Sequence, residues 1–257
     1  MIITVLTENT SESGLACEHG LSLFVEVNGV KFLFDSGQSS RFYENAVRLG
    51  KDISQADMMI LSHGHYDHGG GIQTFLSVNK NAPVYMNRRA FGKYYNGTEK
   101  YIGLDPELEG NERIRLTDGL TSLGSGMTLH SAYDMTKRID LGSFGLNRLE
   151  NGCFLPDDFL HEHYLLVEEN GRRILFSGCS HRGVNNIVSW FRPDVFIGGF
   201  HFSHIPCADR LRALADDLDG FGTEYYTCHC TGTEQYIFMS ESMKSLHYIS
   251  TGQSIVI

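Results

Sequence analysis

Two segments constrain the fold of this 257-residue chain more than any others: "VNGVKFLFDSG" (27–37) and "ENGRRILFSG" (169–178). Each is an Asn-Gly pair, a strand-like run and a polar, glycine-containing tip. Each follows another strand-like run, "LSLFVEV" (21–27) and "HYLLVEE" (163–169). Asn-Gly between two such runs is a hairpin signal, because both turn residues must take positive φ. Helix and strand patterns then alternate. In the first half a helix near 38–50 precedes "DMMILS" (57–62), and a helix at 70–79 precedes "PVYM" (83–86). In the second, helices near 183–191, 206–219 and 233–244 separate "DVFIGGF" (194–200), "TEYYTC" (223–228) and the final "SIVI". The N-terminal "IITVL" reads as a further strand. This weak internal duplication predicts two sheets face to face with helices outside, an α/β (α+β) architecture. The segment 96–160 is rich in Gly, Asp and Asn, with short strand-like pieces at 113–116 and 127–131. It fits neither half and reads as an insertion covering one face of the site, within a single domain spanning 1–257.

Composition narrows the functional classes. Hydrophobic residues make up 41% of the chain, enough for a substantial core and against disorder. A net charge of -10 repels phosphate backbones, so nucleic acid is not an expected partner. No apolar run is long enough to span a bilayer, so no membrane association is expected. The N-terminus lacks a basic start followed by an apolar stretch, so it does not read as a secretory signal. Six cysteines in a chain this long do not suggest a disulfide framework, and a reducing cytoplasmic location is expected.

The chemistry is concentrated in "LSHGHYDHGGG" (61–71). In an extended segment alternate side chains share a face, so His63 and His65 project together from the end of the "MMILS" strand. Asp67 and His68 follow as the chain turns. Two ligands can thus meet one cation and two a neighbouring one. Imidazole nitrogen and carboxylate oxygen both suit Zn²⁺, Fe or Mn²⁺. Gly69, Gly70 and Gly71 let the backbone crowd the site and turn into a helix. A histidine-rich surface turn is the alternative, but four ligand-type residues capping an apolar strand argue against it.

His-x-His-x-Asp-His after an apolar strand resembles the signature of the metallo-β-lactamase fold, a four-layer αββα sandwich. The strand ending in Asp35 resembles that superfamily's first motif, an aspartate that braces the metal loop. "FSGCSHRGVNNIV" (176–188), "GGFHF" (198–202) and "CHCTG" (228–232) resemble the branch related to methanogen dihydropteroate synthase, the metal-dependent hydrolases of the β-lactamase superfamily II. The likeness covers most of the chain, and 96–160 matches least. It implies that His229 is the last ligand histidine, and strand alternation would then point its neighbours Cys228 and Cys230 away from the metals. Cys179 stands where many members carry an aspartate that bridges two metals. It either ligates as a thiolate or fills space while water bridges. His181, two residues on, shares its side in an extended segment and is expected to ligate. His161 or His163 is the alternative, from the spacing to "FSGC". His201 ends a strand at the same rim and reads as a substrate contact or proton carrier. His204 reads as a loop residue, and His130 and His247 as structural.

These residues point to metal-assisted hydrolysis with one or two divalent ions, Zn²⁺ foremost and Mn²⁺ or Fe as alternatives, and the resemblance implies a small, anionic substrate, phosphorylated or pterin-like. Asp67 would orient the water and His201 serve the leaving side. Lys137 and Arg138, in a loop over the entrance, would pair with an anionic group or form a solvated charge pair. Two other functions compete: a transferase like the archaeal synthase, and a metal-holding sensor or binding module without turnover.

Overall fold

The computed structural model describes residues 1–257. Two seven-stranded sheets form its centre. The first runs, edge to edge, Ser254–Val256, Ile2–Thr7, Ser22–Val27, Val30–Phe34, Met58–Ile60, Val84–Asn87 and Ile114–Thr117. The second runs Leu246–Tyr248, Glu224–Thr227, Val195–Ile197, Arg172–Phe176, His163–Glu169, Met127–Ser131 and Leu120–Gly124. Each contains an antiparallel hairpin whose second strand begins a run of parallel neighbours. The hairpin turns hold Asn28 and Gly29 at φ 50° and 77°, and Asn170 and Gly171 at 51° and 77°. Positive φ at both central residues suits the twist of the flanking strands. The duplication in sequence is therefore a duplication in topology.

Strand alternation builds the layers. Phe32, Phe34, Ile174, Phe176, Val195 and Ile197 point into the core between the sheets. Leu33, between two of them, faces the other way, against Phe42 of helix Arg41–Arg48 and Phe75 of helix Ile72–Val78. Leu175 and Phe196 likewise meet helices Val184–Phe191, Asp209–Asp219 and Thr233–Ser240. Helix, sheet, sheet and helix thus enclose separate cores, the four-layer αββα sandwich that the resemblance implies. No helix is long and apolar enough to cross a membrane.

The segment 96–160 divides instead of forming one insertion. Ile114–Thr117 extends the first sheet, and Leu120–Gly124 with Met127–Ser131 completes the second. These strands lie at or near sheet edges and are partly exposed, so their apolar signal is weak. The remainder contributes Lys100–Tyr101, Leu146–Glu150 and Cys153–Pro156, which join Tyr94–Asn96 in a four-stranded antiparallel sheet. That small sheet covers one side of the site.

Candidate metal centre

The site lies just beyond the carboxyl ends of the parallel strands, where side chains from several strands can converge. Asp35 follows Phe34, His63 follows the strand ending at Ile60, His181 follows Phe176, His201 follows Ile197 and His229 follows Thr227. Asp35, Ser180, His201 and His229 all have positive φ, between 51° and 58°. Four non-glycine residues in the left-handed region, clustered at strand tips, mark where the chain is bent to aim side chains inward. Glycine permits one close approach: a Cβ at Gly178 would collide with the Ser62 hydroxyl.

Asp35 is fully buried and organises the loop. Ser62 donates its N–H to Oδ1 and its hydroxyl to Oδ2, both at 2.7 Å, and His68 Nδ1 lies 2.7 Å from Oδ2. Because the Ser62 hydroxyl donates to Asp35, it accepts from His63 Nδ1 at 2.9 Å. On the far side, His229 Nδ1 meets Asn9 Oδ1 at 2.7 Å, an oxygen that also accepts Gly20 N–H at 3.2 Å. Glu8 Oε2 accepts the His229 N–H at 3.0 Å. In the neutral imidazoles these contacts place hydrogen on Nδ1 and a lone pair on Nε2 of His63, His68 and His229.

Two donor clusters result. In the first, the rings of His63, His65 and His181 lie 4.6, 5.0 and 5.0 Å apart. Nε2 of His63 and of His65, and both nitrogens of His181, are buried without any hydrogen-bond partner. In the second, His68 Nε2 and His229 Nε2 are 3.3 Å apart, and Asp67 Oδ2 lies 3.8 and 3.4 Å from them. Two ligands of a tetrahedral zinc, each at about 2.0–2.1 Å, stand about 3.3–3.4 Å apart. Buried lone pairs facing one another at that spacing fit a cation. Cys179 Sγ, 3.2 Å from His68 Nε2, stands between the clusters, within 4.8 Å of donor atoms in both.

The clusters differ in charge. Burial and mutual repulsion hold His63 and His181 well below the usual histidine value and bring His65 to about 3. His68 behaves oppositely. Burial disfavours its charged form, but Asp35 and Asp67 outweigh burial and raise it to about 9. Burial alone would raise Asp67; the neighbouring His68 and the close approach of His19 and His229 hold it well below the carboxylate range. Burial also pushes the Cys179 thiol well up.

The other expected residues are placed as follows. His161 Nδ1 accepts Gly64 N–H at 3.0 Å and its Nε2 meets Asp157 at 3.2 Å, so both nitrogens are engaged and the ring braces the 63–65 loop. His163 joins neither cluster; its Nε2 lies 3.1 Å from both Thr117 and Ser131 hydroxyls. His201 sits with its ring 4.2 Å from that of His181 and its Nδ1 unpartnered. Lys137 pairs with Asp140 at 3.7 Å and Arg138 with Asp217 at 2.8 Å, and neither lines the cavity. That cavity, of about 490 Å³, has Lys100 as its one lysine or arginine. Cys230 corrects an expectation. It lines the cavity instead of pointing away, because His229–Thr231 is a 3-10 turn and strand alternation ends at Thr227. Glu8, Asn9 and His19 were not anticipated. Their only signal is the polar pair ending the first strand and a His-Gly step before the second.

A profile of the metallo-beta-lactamase superfamily matches residues 16–220. An uncharacterized protein of Methanocaldococcus jannaschii is 26% identical, over 93% of this chain and 94% of its own. The 7,8-dihydropterin-6-methyl-4-(beta-D-ribofuranosyl)-aminobenzene-5'-phosphate synthase of the same organism is 29% identical, over 93% and 90%. The crystal structure of a metal-dependent hydrolase of the beta-lactamase superfamily superposes with a TM-score of 0.86 at 28% identity, covering 100% of this chain and 99% of that one. With the sandwich, the buried donor clusters and a profile match across most of its length, the chain belongs to the metallo-beta-lactamase superfamily.

Proposed function

We propose that this protein is a metal-dependent hydrolase of a small, anionic molecule, with His63, His65 and His181 holding one divalent ion and Asp67, His68 and His229 a second. The observation that carries this reading is the first cluster's set of buried imidazole nitrogens, Nε2 of His63 and His65 and both nitrogens of His181, turned toward one another without a hydrogen-bond partner. Nitrogen and oxygen donors in tetrahedral spacing favour Zn²⁺, with Mn²⁺ or Fe as alternatives. Bound divalent ions supply Lewis acidity and a nucleophilic water at neutral pH.

The protein's own groups do the rest. Asp35 and Asn9 fix which imidazole nitrogen carries the lone pair. Asp67, with an oxygen toward His68 and His229, orients the attacking water. His201 lines the cavity with an unpartnered Nδ1 and serves as the proton donor to the leaving group. Lys100, on the rim, replaces Lys137 and Arg138 as the partner for an anionic substrate group. Tyr66, Ile102, Phe144 and Leu146 supply an apolar surface for the substrate body.

The test is turnover of a panel of phosphodiesters, lactones and thioesters by protein loaded with Zn²⁺ or Mn²⁺. Product release that is lost in His65→Ala supports hydrolysis. No release from any member contradicts it. Transfer to an amine is the second reading, favoured by the relative named as a synthase, which aligns along 90% of its length. It predicts product formation only when an acceptor amine is supplied.

A further inference from the structure

Asp67 is gripped from outside both clusters. His19 Nε2 lies 3.2 Å from Asp67 Oδ2, the same oxygen that faces His68 and His229. A carboxylate oxygen has two lone-pair directions, so a contact from His19 leaves one free for a cation. The direction of the hydrogen bond follows from Asn9. Its Oδ1 is committed to Gly20 N–H and His229 Nδ1, so its Nδ2 faces His19 Nδ1, at 3.5 Å. An amide nitrogen only donates, which makes His19 Nδ1 the acceptor and puts its hydrogen on Nε2, aimed at Asp67. One asparagine thus gives two histidines opposite tautomers: a lone pair on His229 Nε2 and a proton on His19 Nε2.

The backbone keeps this contact in place. Leu21 N–H donates to the Asp67 carbonyl at 3.3 Å, and Gly20 packs so closely on that carbonyl that a Cβ would strike it. The His19 side chain itself is 56% exposed at the cavity wall, with its ring 4.9 Å from that of His229. No core packing depends on it.

We propose that His19 is a positioning residue of the metal centre. Its Nε2–H fixes the rotation of the Asp67 carboxylate so that Oδ2 faces His68 and His229. The role rests on the two-cluster reading above and is specific to the second cluster, since His19 touches nothing in the first.

The experiment is a Zn²⁺ titration against a chromophoric chelator with wild type, His19→Ala and His19→Gln, each checked for fold by circular dichroism. Loss of an outer hydrogen-bond partner typically weakens metal binding about 10–100-fold. His19→Ala is expected to weaken one of two ions by that factor and leave the other unchanged. Glutamine offers an amide N–H near the position of Nε2, so His19→Gln is expected to recover most of the loss. Two ions held by His19→Ala as tightly as by wild type would overturn the role. So would a glutamine variant no better than alanine. Wild-type protein that takes up no ion would contradict the metal-centre reading itself, and the role of His19 with it.

Discussion

The two donor clusters lie side by side yet are built on opposite electrostatics. His63, His65 and His181 are three neutral imidazoles in a buried setting that resists any added proton. Asp67, His68 and His229 include one carboxylate and are backed by a second, Asp35, whose field raises His68 to about 9. Both sites suit a cation, but only the second also attracts a proton. On the proposed two-ion reading the difference teaches that geometry alone would serve the first ion, whereas charge and proton competition would govern the second. Asp35 joins them, since it reaches His68 directly and His63 through Ser62.

Removing that link should have the largest effect. Asp35→Ala leaves the Ser62 N–H, the Ser62 hydroxyl and His68 Nδ1 without their buried acceptor. Breaking a buried ion pair in this way costs about 3–5 kcal/mol. The urea midpoint of the metal-free variant should fall accordingly, and both ions should be lost. A variant that keeps either ion at wild-type affinity would show that the clusters are not joined through Asp35.

Proton competition gives the next effect. At neutral pH the metal-free protein carries a proton on His68, which an ion must displace. Affinity of the second cluster should therefore rise about tenfold per pH unit up to about 9, with one proton released. Affinity of the first should stay flat over the same range. Calorimetry in buffers of different ionisation enthalpy reads both. Equal pH slopes at the two sites would erase the contrast.

Metal-free stability carries the same signs. His68, raised above its unfolded value of about 6.5, contributes stability that is fully present below about 6.5 and lost as pH rises through about 9. His163, brought down to about 3 chiefly by burial, contributes the reverse: its penalty appears as pH falls below about 6.5. Each group changes stability by at most about 1.4 kcal/mol per pH unit within its window. Thermal melts of metal-free protein should therefore decline on both sides of a maximum near pH 6.5. His163→Gln should lessen the acid-side slope, which His63, His65 and His181 share, and leave the alkaline side unchanged.

Cys179 offers a smaller adjustment. Its buried thiol stays protonated in the metal-free protein, so the bridging position is less anionic than a carboxylate would make it. Cys179→Asp should tighten the second ion in titrations with Zn²⁺ or Mn²⁺. Two equally tight ions in wild type, unchanged by the substitution, would show that Cys179 does not set occupancy.

The legibility of these features follows their locality. The hairpins, the parallel strands and the 63–68 loop were readable because turn chemistry, apolar runs and donor spacing are contiguous in the chain. The strands at 120–124 and 146–150 were not, because partly exposed strands carry little apolar contrast. His161 and His181 could not be ranked by spacing. The contacts that separate them, Gly64 and Asp157 on one and none on the other, are tertiary. Asn9 and His19 were invisible for the same reason: Asn9 lies 220 positions from His229, the residue whose tautomer it sets. Cys230 departs from strand alternation because the strand ends at Thr227 and the chain enters a 3-10 turn, a change that the apolar pattern does not mark.

Anomalous diffraction at the zinc edge from crystals of metal-loaded protein tests the central claim most directly. The account predicts two peaks, one among His63, His65 and His181 and one among Asp67, His68 and His229. A single peak elsewhere, or none in zinc-saturated crystals, would contradict it.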